Sequence, residues 1–144
     1  MDTMTPASAR TVLARLGNPL APRLKIVAGG NMKVKQAGAE IRLGRDLLTA
    51  ATRDDELAFF LGHELGHIAL GHAQTWFYRV GLRSLKLETA ADAYAIRLMR
   101  AKGYDPRAAL WFLDRIIATA ATTGRSPSKP RARRAAILNL IQGD

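Results

Sequence analysis

The sequence predicts an α+β fold in which a small, twisted, antiparallel-containing sheet packs on a mostly helical body. Two observations carry this. Three short apolar segments lie close together between residues 23 and 43, and from about residue 52 onward the apolar spacing turns helical. Glycine and proline separate these stretches, and no repeat or second domain is visible. The 144 residues amount to one ordinary domain, so residues 1–144 read as a single unit.

Residues 5–16 read as an opening helix, with Val12, Leu13 and Leu16 behind the Thr5-Pro6 pair. Gly17, Asn18, Pro19 and Pro22 break it. Arg23 to Ala28, Met32 to Gln36 and Ala39 to Leu43 read as three strands, and their closeness suggests an antiparallel sheet over 23–43. Two helices are expected over 53–102. The first has Thr52 at its start, Asp55 and Glu56 in its first turn and an apolar stripe from Leu57 to Ala69, and is expected to run to about Tyr78. Gly81 to Leu85 reads as a connection and Lys86 to Lys102 as the second helix. Two further helices are expected over 106–142, one opened by Pro106 and running to about Thr119, the other from Arg131 to Gln142 after a loop over 124–130.

Composition excludes several classes. The apolar fraction of 48% and charged fraction of 24% belong to a folded chain. Without cysteine there is no disulfide framework, no thiolate zinc finger and no cysteine nucleophile. No apolar run approaches the roughly 20 residues that a membrane helix needs. The opening residues lack the basic and apolar regions of a signal peptide. The chain reads as soluble, periplasmic or membrane-associated if an export signal precedes it and cytoplasmic otherwise.

The net charge is +10. Part of the excess sits in the tail, where Arg125, Lys129, Arg131, Arg133 and Arg134 accompany a single acid, Asp144. Such a tail could attract an acidic or membrane-surface partner, although a charge count alone also describes a plain solvated face. A basic nucleic-acid-binding module is a weaker reading, because no stacking aromatics lie among these arginines.

The segment that carries chemistry is His63-Glu64-Leu65-Gly66-His67. Residues four apart share a helix face, so both imidazoles can reach one metal ion. Glu64 points into the same pocket beside the first histidine, where it could take a proton from a water that the metal acidifies. Zinc needs a third protein ligand. His72, five residues past His67, would be rotated away on a straight helix and reads as a capping or structural residue. Glu88, at the start of the next helix, is better placed. Asp92 follows one turn later, where it can accept the second ring N–H of a ligand histidine.

These residues resemble the gluzincin metallopeptidases. The combination of His63-Glu-Leu-Gly-His67 with Glu88-Thr-Ala-Ala-Asp92 is most similar to the group containing the CAAX prenyl endopeptidases, the Oma-type peptidases and their bacterial periplasmic relatives. Gly44 to Leu48, Asp55 to Ala58 and Ala101 to Ala109 resemble the flanking segments of that group, and His72 matches a further histidine often found there. Ser128-Lys-Pro with Arg134-Ala-Ala-Ile looks like a degraded form of its C-terminal motif. The resemblance covers roughly residues 41–140. It departs in the short interval from His67 to Glu88 and in Lys129, which stands where a histidine is usual.

The resemblance implies a minimal zincin-like fold and one Zn2+ per chain held by His63, His67 and Glu88. It further implies peptide-bond hydrolysis with Glu64 as general base, with a protein or peptide as substrate. Arg134, or Lys129, could stabilise the developing oxyanion, and the strand over 39–43 could offer an edge to an extended substrate. A repressor-cleaving peptidase of the ImmA type shares the His-Glu-Leu-Gly-His segment and is the rival resemblance. A catalytically silent metal-bound module is the remaining alternative.

Overall fold

The computed structural model describes residues 4–17, 23–27, 32–35, 40–72 and 84–143. The opening helix α1 (Pro6–Leu16) starts in a capping box, in which the Thr5 hydroxyl accepts the Ser8 N–H and Ser8 returns a bond to Thr5. It buries Ala9, Val12 and Leu16.

Three strands follow: β1 (Arg23–Val27), β2 (Met32–Lys35) and β3 (Glu40–Gly44). Their order is β1-β3-β2, with β3 in the middle. The pair β1–β3 is parallel, with Leu24 opposite Ile41, and β2–β3 is antiparallel, with Val34 opposite Ile41. The sheet is therefore mixed rather than wholly antiparallel. Ile41 and Leu43 are fully buried on one face, and Leu24 and Ile26 pack against the same core. The central place of β3 also removes the substrate edge expected over 39–43, because both sides of that strand are already paired.

A short helix, α2 (Arg45–Ala50), leads to α3 (Asp54–Ala69). Helix α3 is buried from Glu56 to His67 almost without interruption, the behaviour of a helix in the middle of a core. Its cap differs from the expected one. Arg53 occupies the cap position without a side-chain bond, and Glu56 reaches back to accept both the backbone N–H and the hydroxyl of Thr52, each at 2.7 Å. Arg115 completes the satisfaction of this buried carboxylate. Asp54, Asp55 and Glu56 also set negative charge against the positive end of the helix.

Helix α3 ends at Ala69, short of the expected Tyr78. Leu70 caps it, and Gly71 adopts a left-handed φ of 74° that a continuing helix cannot contain. The remainder of the expected helix, over 73–78, lies outside the described residues.

Helix α4 (Leu85–Ala101) is capped by Ser84, whose hydroxyl accepts the Leu87 N–H. Helix α5 (Ala108–Thr123) runs to a left-handed Gly124. Helix α6 (Ser128–Gln142) begins earlier than expected, because Pro130 sits in its first turn, where the missing N–H costs nothing. It docks chiefly on α4 and α5, with Ile137 fully buried and Leu138 and Ile141 partly so. Arg100 of α4 donates to the terminal carbonyls of Leu140 and Ile141. No helix among the described residues is long and apolar enough to cross a membrane.

The most extensive packing joins α3 and α4. Small residues make it possible. A Cβ at Gly66 would lie 3.0 Å from the Ala91 carbonyl oxygen and 3.1 Å from both Ala91 Cα and Tyr94 Cβ. One at Gly62 would lie 3.2 Å from Ala95 Cβ. Helix propensity alone predicts that Gly66→Ala gains about 1 kcal/mol. The backbone contact predicts a net loss instead, since overpacking costs about 1–3 kcal/mol. The urea midpoint of Gly66→Ala should therefore fall below that of the parent chain. A raised midpoint would show that α3 and α4 can part freely.

Candidate metal centre

Helical spacing puts His63 and His67 on the same side of α3, and the close approach of α4 brings Glu88 across to them. The two imidazole Nε2 atoms are 3.0 Å apart. Glu88 Oε2 lies 3.4 Å from His63 Nε2, and Glu88 Oε1 lies 3.1 Å from His67 Nε2. One ligand atom from each of the three residues falls within 4.8 Å of the others, and all three residues are buried.

The far side of each ring is also held. His63 Nδ1 is 2.7 Å from Asp92 Oδ1, so a proton on Nδ1 is donated to the carboxylate and Nε2 faces the centre, where a metal ion would displace any proton it carries. His67 Nδ1 is 2.9 Å from His72 Nδ1. Phe59 packs beside His63 with its ring centroid 6.2 Å away, and Phe59, Phe60 and Phe112 form an aromatic wall behind it.

Arg133 of α6 closes the network. Its Nε and Nη2 atoms each lie 2.8 Å from an Asp92 oxygen, a bidentate clamp, and its Nη1 is 3.8 Å from Glu88 Oε2. Arg134, the residue singled out in the sequence, is elsewhere. Its guanidinium pairs with Asp114 of α5 at 2.6 Å on a partly exposed surface. Adjacent helical residues point about 100° apart, so a shift of one position decides which arginine faces the site.

Burial and charge oppose each other here. Burial pushes the His63 pKa down, but the Asp92 bond, the Glu88 bond and the Glu64 charge more than offset it and raise it to about 9. Burial would raise the Glu88 carboxyl, yet His63, His67 and Arg133 hold it far below the usual carboxylate range. Asp92 is likewise lowered against its burial, by Arg133 first and His63 second. Burial, helped by the neighbouring His67, keeps His72 below its ordinary value and so favours its neutral form.

The donor set fits a divalent cation on two counts. Glu88 Oε1 is buried and, although close to His67 Nε2, makes no aligned hydrogen bond. Three buried carboxylates, Glu64, Glu88 and Asp92, meet one guanidinium, Arg133. Two imidazoles and a carboxylate are also the ligand types that zinc takes in sites with an open fourth position.

The sequence model of Peptidase family M48 matches residues 32–87, from β2 through α3 to the first residues of α4. No curated protein and no solved structure matches the chain. The fold is α+β, His63, His67 and Glu88 could together hold a metal ion, and the family match suggests a metallopeptidase. The matched stretch holds His63, Glu64 and His67 and stops one residue before Glu88.

Arg133→Ala should weaken zinc binding by about tenfold or more, because it frees the carboxylate that orients His63. Arg134→Ala should leave the affinity unchanged, losing only a part-exposed ion pair. Competition against a chromophoric chelator measures both, and equal losses in the two variants would contradict this division of roles.

Proposed function

We propose that the chain is a zinc-dependent endopeptidase with a zincin-like site, in which His63, His67 and Glu88 hold one Zn2+ and Glu64 is the general base. The observation that carries the reading is the buried convergence of these three ligand groups beside Glu64, within the reach of a single ion. The family match supports the hydrolytic class.

Zinc held there would supply Lewis acidity toward a water and toward the scissile carbonyl. The chain's own groups would do the rest. Glu64 is next to His63 on α3 and only 1% exposed, so its carboxylate acts outside bulk water. It would accept a proton from the attacking water and return it to the leaving amine. Asp92 and Arg133 would keep the His63 ring turned toward the centre. Phe59 and Phe112 would help to keep the floor of the site dry.

An extended substrate would pair with β2 rather than with the central β3. Strand β2 is at the edge of the sheet among the described residues and is the strand that packs on α3. The basic tail is less available to an outside partner than its composition implies, since Arg133 and Arg134 are engaged by Asp92 and Asp114. Attraction to an acidic partner would fall to exposed residues such as Arg125 and Arg131.

Glu64→Gln should retain zinc and fold while losing at least about 100-fold in peptide hydrolysis, because an amide cannot act as the base. Chelation should abolish the activity of the parent chain, and added zinc should restore it. A quenched peptide library and a casein digest read these effects. Turnover of Glu64→Gln within tenfold of the parent chain would move the base to another residue.

A further inference from the structure

We infer that His72 is the residue that positions His67, acting as hydrogen-bond acceptor for its Nδ1–H and so directing the Nε2 lone pair to the metal. The inference rests on the metal-site reading above and extends it to a residue outside the ligand set.

The geometry begins at the end of α3. Had the helix continued, His72 would point well away from His67, since five residues at about 100° each do not return to the same face. Instead, the Leu70 N–H bonds back to the Gly66 carbonyl at 2.9 Å and the Gly71 N–H to the Ile68 carbonyl at 3.1 Å. Gly71 then takes φ 74°, and the chain folds back over the last turn. His72 is thereby buried to 8% exposure, with its Nδ1 2.9 Å from His67 Nδ1 and the two rings tilted at 61°.

Two nitrogens at that distance share one proton, and its position follows from the other side of the ring. His67 Nε2 faces His63 Nε2 at 3.0 Å and Glu88 Oε1 at 3.1 Å. A ligand there must be a bare lone pair, so the proton of His67 belongs on Nδ1 and the acceptor is His72 Nδ1. Each ligand histidine then has its own anchor: Asp92 from α4 for His63, and His72 from the turn after α3 for His67. The second anchor is neutral. It fixes the tautomer without adding a further negative charge to a centre already crowded with carboxylates.

Asparagine offers a close substitute, because its Oδ1 occupies the place of histidine Nδ1 and can accept but not ligate in the same way. Leucine fills similar space without an acceptor. In zinc titrations of the full chain against a chromophoric chelator, His72→Leu should bind about 10- to 100-fold more weakly. His72→Asn should bind within a few-fold of the parent chain. Nitrogen-15 NMR of the zinc-loaded parent should find His67 protonated at Nδ1, a readout that needs no variant to fold. Unchanged affinity in His72→Leu, equal losses in both variants, or an Nε2-protonated His67 would each overturn the role of His72. A parent chain that binds no zinc would instead overturn the metal site on which the inference rests, and the role of His72 with it.

Discussion

The close contact of α3 with α4 is the constraint on which the rest depends. A single helix can bring two histidines to one face, but the third ligand has to come from elsewhere. Here Glu88 reaches His63 and His67 because glycines at 62 and 66 let the backbone of α4 lie almost against that of α3. The opposing positions, Ala91 and Ala95, are small for the same reason, and both are fully buried. Ridge-and-groove packing with ordinary side chains would hold the helices about 8–10 Å apart.

Burying so many charged groups together is costly unless each finds a partner. The chain meets that demand by recruiting groups from distant parts of the sequence. Arg133 arrives from the last helix to neutralise Asp92, and Asp92 in turn holds His63. Helix α6 is thus part of the site, not an appendage, even though only Ile137 is fully buried along it. Glu56 and Arg115 repeat the principle at the other end of α3, where a fully buried carboxylate ties the helix start to α5. Helix α3 is held at its start by Glu56 and alongside His63 and His67 by α4.

Much of this was legible in the sequence because it depends on local pattern. Period-two alternation located the strands near residues 23–27 and 40–44, and helical spacing located α3 and α4. The pairing of His63 with His67 followed from the same spacing, and Glu88 and Asp92 stood out by their place early in the next helix, although which histidine Asp92 would meet did not. What was not legible depends on partners far away in the chain or on a single backbone angle. Strand order is non-local, so the central place of β3 and its parallel pairing with β1 left no trace in the alternation. The stop at Ala69 turns on Gly71, one glycine inside an otherwise helical pattern, and that turn also brought His72 back to His67. The choice of Arg133 over Arg134 depended on how α6 is rotated against α4 and α5, which the tail's own sequence does not encode.

The central claim is that one zinc ion sits between two imidazoles and a carboxylate in this chain. Zinc K-edge X-ray absorption on the stoichiometrically loaded protein tests it most directly. The account predicts a four-coordinate spectrum with the multiple-scattering signature of two imidazoles at about 2.0–2.1 Å and a carboxylate oxygen at about 2.0–2.2 Å. A six-coordinate shell of oxygens, or a signature of fewer than two imidazoles, would contradict it.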